Sequence, residues 1–589
     1  MNREGRSVSF ESAAWGLVLV LAASLRWYGL SAAPIGPDEA PEALAAASGT
    51  NQASVFYDPG VESQPTSALY DVATRVIFLF GGADEGAARA VPAVAGLLPL
   101  VVLWSLRKRM GTIPSLFLGV WVAVSPMWVA TSRTAGGTAL ALGAAAAAVY
   151  VASTKSPRSG GIAKGLLATS LGFGLASGPS FLTGLLGLSL AWWASRVIWR
   201  NDAVSLPGEW TGRDLAEVGL GSVAIAIAVS SGLGMALSGV EILFSGVRAW
   251  LTAWIQPAGL PLGTSILLLA AYEPLIVVLG LLGALRAVRH PDSVGRLLLT
   301  WSLVAAGVFF LSVGRRPEDA IWALLPLSFL AARMVQDEVE SADRTGYPVA
   351  AAGLWVALIV LAAFIAQQFS AYLSGIGPGA DASMPQLRLP IALGGLGIGV
   401  VVVVLVGFGW DWATTKASAF GAVAVALLAL TISASWRLNL SGDRDRTAEL
   451  WRPHQGATGL VRLRHTLESL ALSQTGTPTI PVSLAGSRAT PSLAWALRSF
   501  PAYVPEEVGP GRAPPIVLQP EGVPLPRLPA QYLGQAITLE HAWGWQGPWP
   551  PDVTRWWFRG TAPLAAERWV LYVREDVATL SPAEPEAAP

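Results

Sequence analysis

Two adjacent carboxylates, Asp38 and Glu39, stand in the stretch Pro34-Ile35-Gly36-Pro37-Asp38-Glu39-Ala40, just past an apolar run over residues 13–30. That run is long enough to cross a bilayer, and the prolines and glycine hold the next residues in a turn, so the pair is expected at the membrane–water boundary. A carboxylate fixed there suits acid–base work on a substrate with one end in lipid. Asp38 is the residue to which that work is assigned, with Glu39 beside it. A structural role competes: Asp38 as N-cap of a helix over 39–48, with Glu39 and Glu42 favoured by the helix dipole. The two roles are compatible.

Arg315-Arg316 comes directly after the apolar segment that ends at Gly314. With the N-terminus cytoplasmic the pair lies outside, against the positive-inside pattern, where two guanidiniums suit a lipid phosphate in bidentate contact. Headgroup snorkelling, partly balanced by Glu318 and Asp319, is the alternative. Glu273, between Tyr272 and Pro274, sits within an apolar span, and an intramembrane carboxylate is either functional or buried against a cation. Arg133, after Ser132, and Arg89, before Pro92, are candidates to organise the Asp38 loop, or interfacial anchors. Gly394-Gly395-Leu396-Gly397-Ile398-Gly399 has a dinucleotide-like spacing, but it lies inside an apolar span, where helix packing through Gly395 and Gly399 is expected. Trp543, Trp545, Trp549, Trp556 and Trp557, with His541, are expected to pack in the core and against the membrane region, or to stack on sugar rings.

These residues are positioned by a chain of 589 residues that is 53% hydrophobic and 13% charged, too apolar for a soluble protein. Lys+Arg and Asp+Glu are both 39 and no long basic tract occurs, which argues against nucleic-acid binding. The absence of cysteine excludes disulfides and thiolate chemistry, and the four dispersed histidines argue against a His-built zinc site. No small-residue cleavage pattern lies behind the first apolar run, so it reads as a retained helix.

Apolar spans are expected at residues 13–30, 88–106, 113–131, 137–153, 162–178, 179–198, 215–239, 264–288, 297–314, 320–335, 349–372, 389–410 and 420–436. That gives an all-α polytopic bundle of about thirteen transmembrane helices. With the N-terminus cytoplasmic, basic residues such as Arg107-Lys108-Arg109 and Arg286/Arg289/Arg296 fall inside. An odd number of spans then puts Asp38-Glu39 and the C-terminal tail on the same, extracytoplasmic side. Residues 1–438 form the transmembrane domain, whose first outer loop is 31–87; 439–580 read as a small α/β domain and 581–589 as a disordered tail. A helix is expected over 67–80 along the interface and another over 240–263 with Trp250 and Trp254 at headgroup depth. Within the tail, helices are expected at 458–473 and 492–500, and strands at 479–485, 515–518, 536–540 and 569–574.

The run Leu25-Arg26-Trp27-Tyr28-Gly29-Leu30 through Pro37-Asp38-Glu39-Ala40 resembles the first outer loop of GT-C type glycosyltransferases, the superfamily of protein O-mannosyltransferases and aminoarabinose transferases. The likeness continues through Pro65, Leu69-Tyr70, Phe80-Gly81, Ala88-Arg89-Ala90-Val91-Pro92-Ala93, Ser125-Pro126, Ser132-Arg133, Tyr272-Glu273-Pro274 and the stretch from Arg315-Arg316 to Trp322 and Pro326. With Tyr57-Asp58-Pro59 these look most like the flippase-associated, oligosaccharyltransferase-like branch of archaea and some bacteria. The resemblance implies a GT-C bundle in the plasma (inner) membrane that works in cell-envelope glycosylation. It implies a polyprenyl-phosphate sugar donor, Asp38 as base, and an acceptor that is a glycan, lipid or protein.

The chain also departs from that branch. Pro37 replaces a histidine before the Asp, and Ser63-Gln64-Pro65 replaces His-Gly-Pro. Thr134-Ala135-Gly136-Gly137-Thr138 comes after Arg133 where a second Asp is expected. Glu62 or Asp58 is then the substitute carboxylate, and a divalent cation shared by two carboxylates is left open. A catalytically degenerate scaffold that binds lipid-linked sugar or a partner protein is the alternative. A lipid-sugar flippase would need internal repeats and a line of intramembrane charges, of which only Glu273 is present.

Overall fold

The computed structural model describes residues 10–48, 64–154, 161–199, 210–234, 238–257, 259–342, 348–374, 385–441, 449–485, 489–500, 502–503, 513–524, 529–544, 556–557 and 563–578. Tyr57, Asp58, Glu62, Trp545 and Trp549 lie outside these described residues. The chain opens with α1 (Phe10–Trp27), forms its first loop with α2 (Ala40–Ser48) and α3 (Ala68–Gly81), and re-enters through α4 (Glu85–Ala95) and α5 (Leu98–Met110). Next come α6 (Thr112–Val124), α7 (Pro126–Ser132), α8 (Thr138–Thr154), α9 (Gly161–Ala176), α10 (Pro179–Ile198), α11 (Gly212–Ser230) and α12 (Ser238–Thr252). After these stand α13 (Leu262–Tyr272), α14 (Pro274–Arg289), α15 (Ser293–Leu311) and α16 (Ala320–Ala342). The helical part closes with α17 (Pro348–Ser374), α18 (Pro385–Gly409) and α19 (Trp412–Leu440).

Among the described residues seven helices are long and apolar enough to cross a membrane, or nine if each bent pair is one span. Helix occurs within each of the thirteen expected segments, though the span expected at 215–239 is helical only to Ser230 and again from Ser238 among its described residues. The count of nine leaves out α8 and α9, which are shorter, and α11 and α16, which carry Arg213, Asp214 and Glu217, and Arg333 and Asp337. The bent pairs have a common cause. Proline lacks an N–H and disfavours the helical conformation of the residue before it, so one helix ends and the next begins at Pro126 and at Pro274. The axes turn by 57° between α6 and α7 and by 96° between α13 and α14.

Glycines let the helices meet closely, as expected where lipid removes the hydrophobic drive to associate and packing must supply it. A Cβ on Gly280 would collide with Leu327, and one on Gly283 with the Leu330 carbonyl, which is how α14 lies against α16. Gly395 and Gly399 set α18 against Ile365 and Leu361 of α17, the packing role expected of that run.

The C-terminal part carries a six-stranded sheet of β1 (His454–Gly456), β2 (Val482–Leu484), β3 (Ala502–Tyr503), β4 (Ile516–Pro520), β5 (Tyr532–Trp543) and β6 (Leu564–Arg574), in the order β1-β5-β6-β4-β2-β3. β4, β2 and β3 run parallel and the other neighbours antiparallel. Helices α20 (Thr458–Thr475) and α21 (Pro491–Ala496) accompany it. Leu460, Leu463, Leu467 and Leu470, at helical spacing on one face of α20, are buried with Ile516, Leu518 and Leu571 of the sheet. That same apolar cluster contains Ile35, Ala40, Ala43, Leu44 and Tyr70, so the first loop and the C-terminal part share one core. Glu85 at the start of α4 fastens the junction, accepting from Trp495 Nε1 at 3.2 Å and pairing with Arg464 at 3.2 Å.

Candidate active site

The Asp38 turn is built around one guanidinium. Arg89, on α4 and 3% exposed, donates to Leu30 O at 3.0 Å, Ala33 O at 2.8 Å and Pro34 O at 3.0 Å. Its remaining N–H groups donate to Glu39, Nε to Oε1 at 2.9 Å and Nη2 to Oε2 at 2.6 Å. All five donors of the fork are thereby used, and the chain from Leu30 to Glu39 is wrapped around it. Glu39 also accepts from Gly36 N at 3.2 Å and Ala135 N at 2.9 Å. Burial alone would raise the Glu39 carboxyl, but the charge and hydrogen bonds of Arg89 outweigh it and hold the group down at about 2. Glu39 is thus a saturated carboxylate, in a different situation from the catalytic one assigned to it from sequence.

Two further arginines hold the approach to this turn. Arg133 donates to the carbonyls of Leu25, Arg26, Tyr28 and Gly29 at 2.8–3.3 Å, satisfying acceptors that the end of α1 leaves free. Arg26, fully buried, donates to Val122 O at 2.9 Å, Ala123 O at 3.4 Å and Ser132 Oγ at 3.2 Å, and so pins α1 to the α6–α7 break. Gly96 makes room for this contact, since a Cβ there would collide with Ser132 Oγ. Arg133, expected among the substrate-binding residues, is therefore spent on backbone, while its expected part in organising the loop is visible in the contacts.

Asp38 is the contrast. It is exposed, and its carboxylate has no hydrogen-bond partner among the described residues. The first turn of α2 is instead closed by Gly36 O, which accepts from Glu39 N at 3.1 Å and Ala40 N at 3.0 Å. Burial nevertheless pushes the Asp38 carboxyl up to about 6; nearby Glu318 and Glu39 raise it further, while His454 and Arg316 oppose them. Exposure and crowding hold together for a side chain that reaches solvent on one side and has protein charges on the others. Three regions thus converge on Asp38: its own turn, the segment after α15 and, through His454, the first strand of the sheet.

The adjacent arginines diverge. Arg315 donates to Leu260 O at 2.6 Å, Phe310 O at 2.8 Å and Phe309 O at 3.3 Å, closing the end of α15. Arg316 makes no side-chain hydrogen bond or ion pair to the described residues; both arginines line a recess with Thr183, Trp250, Trp254, Phe309 and Asp319. An adjoining recess of ≈ 250 Å³ shares Thr183, Val308, Phe309 and Asp319 and continues between α10 and α15 past Gly184 and Gly187. Burial, then Glu318, push the Asp319 carboxyl up to about 7 against the pull of Arg316.

Glu273 lies apart from this opening. It is fully buried at the α13–α14 break, accepting from Trp121 Nε1 at 2.8 Å and from Ser125 Oγ, so its partners are an indole and a hydroxyl in place of the expected cation. Tyr272 beside it donates to Glu449, which also accepts from Arg437 Nε at 2.8 Å. Trp556 stacks edge-on against Tyr272 at 6.0 Å and Trp543 against Trp556 at 5.9 Å, so the described part of the tryptophan cluster seals the sheet region to the bundle. Among the described residues no group of three or more His, Asp or Glu gathers as for a metal ion. His454 carried no signal in sequence, where it is one of four scattered histidines; only the pairing of β1 with β5 puts it here.

No protein-family model matches the sequence, and no curated protein matches it. Solved structures do. ArnT from Cupriavidus metallidurans bound to undecaprenyl phosphate is similar over 97% of this chain and 100% of its own, at 14% identity and a TM-score of 0.56. The apo form of the same protein gives 98% and 100%, 13% identity and a TM-score of 0.52. The apo oligosaccharyltransferase of Archaeoglobus fulgidus matches at 11% identity over 84% of this chain and 64% of its own, with a TM-score of 0.43 that is too loose to build on. Both proteins are glycosyltransferases of the GT-C type, and ArnT is an aminoarabinose transferase. At these identities the likeness is one of fold: the chain is a membrane protein with the fold of ArnT over nearly its whole length.

Proposed function

We propose that this protein is an inverting membrane glycosyltransferase that moves a sugar from a polyprenyl-phosphate donor to a hydroxyl acceptor on the extracytoplasmic side of the inner membrane. The observation that carries the reading is Asp38: an exposed, unpartnered carboxylate near enough to Arg316 to feel its charge, in a chain with the fold of ArnT. Asp38 takes the proton of the acceptor hydroxyl as that oxygen bonds to the anomeric carbon. The bond from that carbon to the phosphate oxygen breaks, and its electron pair leaves on the lipid phosphate, where Arg316 meets the added charge. One displacement inverts the anomeric centre. The phosphate would meet Arg316, and the groove past Phe309, Gly184 and Gly187 would lead the lipid chain away between α10 and α15. N-terminus inside, Asp38 and the C-terminal α/β domain outside is the orientation this chemistry requires.

The missing carboxylate after Arg133 favours a second reading, a scaffold that binds the lipid-linked sugar without transferring it; Ala135, in that stretch, gives its amide to Glu39 instead. The test is release of polyprenyl phosphate from labelled polyprenyl-phosphate sugars by purified protein supplied with cell-envelope acceptors. Release supports the transferase. Tight donor binding with no release from any sugar tried would establish the scaffold in its place.

A further inference from the structure

The sheet region approaches the Asp38 turn more closely than docking on its flank requires. A Cβ on Gly36 would stand 3.6 Å from Gly456 N, and a Cβ on Gly456 would stand 3.1 Å from Ile35 O, so two glycines bring the backbone of β1 against the backbone of the turn. β1 is held from its other side by β5, through the pairs His454 with Ala542 and Gly456 with Glu540. His454 is thereby carried to the side of the Asp38 turn, where it is exposed and its side chain has no hydrogen-bond partner among the described residues.

We propose that His454 is a positioning residue of the transfer site, delivered by the C-terminal sheet to the side of the Asp38 turn. The inference rests on the transferase reading above and extends it, because it makes the sheet part of the site. The groups facing Asp38 are Glu39 from its own turn, Glu318 and Arg316 from the segment after α15, and His454 from β1. The groups facing His454 are Asp38 and, from β5, Glu540, whose Oε1 accepts from Thr490 Oγ1 at 2.8 Å. Two carboxylates, Glu39 and Glu318, oppose ionisation of Asp38, and Glu39 is already neutralised by Arg89. His454 and Arg316 are what oppose Glu318. Arg316 is committed to the lipid phosphate when donor is bound, which leaves His454 as the group beside the turn that favours the ionised form of Asp38.

Two measurements test this. The first needs no turnover: infrared titration of the Asp38 carboxylate in purified protein, its band assigned by its loss in Asp38→Asn, repeated in His454→Gln and His454→Lys. Removing the imidazole should move the Asp38 titration to higher pH by up to about one unit, and a lysine charge should move it back. The second is the pH profile of polyprenyl phosphate release: the acid limb should shift the same way in His454→Gln, with kcat reduced most below pH 7 and recovering above it. If the infrared titration is unmoved in His454→Gln, the proposal is overturned whatever the activity. If it moves while wild-type protein releases no polyprenyl phosphate from any donor, His454 is still placed beside Asp38 and it is the transferase reading that fails.

Discussion

Two polar clusters of this molecule use the same residue types to opposite ends. At the α13–α14 break, buried Glu273 is bonded to Trp121 and Ser125, and beside it buried Tyr272 and Glu449 are bonded to each other and to half-buried Arg437, which also reaches Trp557. Around the Asp38 turn, Asp38, Arg316 and His454 are near enough for their charges to act on Asp38 yet make no side-chain hydrogen bond among the described residues. A buried charge must be matched, and matching it fixes geometry. A charge left unmatched at the surface is available to something that arrives. The same division runs through neighbouring residues: Glu39 is bound where Asp38 is free, and Arg315 is bound where Arg316 is free. Chemistry is therefore to be sought in the second member of each contrast, and stability in the first.

The largest way to break the comparison is Arg89→Ala, which leaves Glu39 buried without its counter-charge and five backbone and side-chain acceptors unmatched. A cost of about 3–5 kcal/mol is expected, read as loss of folded protein in detergent. A well-folded variant with wild-type Tm would mean the clamp is not what holds the turn. Glu39→Gln removes the same pair more gently and adds a pH signature. The folded Glu39 carboxyl, at about 2, lies below its ordinary value of 4.5, so its stabilisation is complete above that ordinary value and is lost as pH falls toward 2. Wild-type Tm should thus fall on acidification through that window while the Glu39→Gln variant, already lower, changes less; parallel curves would leave Glu39 with no part in acid stability.

A smaller effect is expected at the α13–α14 break. Glu273→Gln replaces an acceptor with a group that can turn an N–H toward Trp121 Nε1 or Ser125 Oγ, at a cost of about 1–3 kcal/mol in stability with donor affinity unchanged. Weaker donor binding at unchanged Tm would move Glu273 from structure to site. Smallest in energy and sharpest in meaning are the twin arginines. Arg316→Ala should weaken binding of a polyprenyl-phosphate analogue about tenfold, or about 1.4 kcal/mol, and Arg316→Lys should restore it only in part. Arg315→Ala should lower Tm, because it removes the bonds to Leu260, Phe309 and Phe310, and should cost the folded fraction less affinity than Arg316→Ala does. Equal affinities for all three would make Arg316 a topology feature.

How far this division is legible in the sequence depends on whether a partner lies near in the chain. The apolar run before Pro34 and the turn residues around Asp38 are local, and so is their meaning. The partner of Glu39 is Arg89, fifty residues on and brought back only by α3 and α4, so in sequence Glu39 and Asp38 look alike. Arg315 and Arg316 are equivalent in sequence, and only the folding back of Arg315 onto Phe309 and Phe310, with the return of the chain past Leu260, gives one of them carbonyls to bind. In the sheet, expected strands at 536–540 and 569–574 capture the buried portions of β5 and β6. The rest of Tyr532–Trp543 and Leu564–Arg574 is held by mutual pairing with little apolar alternation to announce it. His454 has no local signal because nothing about it acts locally.

The most direct test sets Asp38→Asn beside Glu39→Gln and measures Tm and polyprenyl phosphate release in both. Asp38→Asn should lose release by about 100-fold or more, the scale of general-base catalysis, while its Tm stays equal or rises because a crowded, unmatched charge is gone. Glu39→Gln should lose Tm first, with release tracking the folded fraction. Full activity in Asp38→Asn, or a loss of activity there that merely tracks a fall in Tm, would contradict the division between free and bound charge.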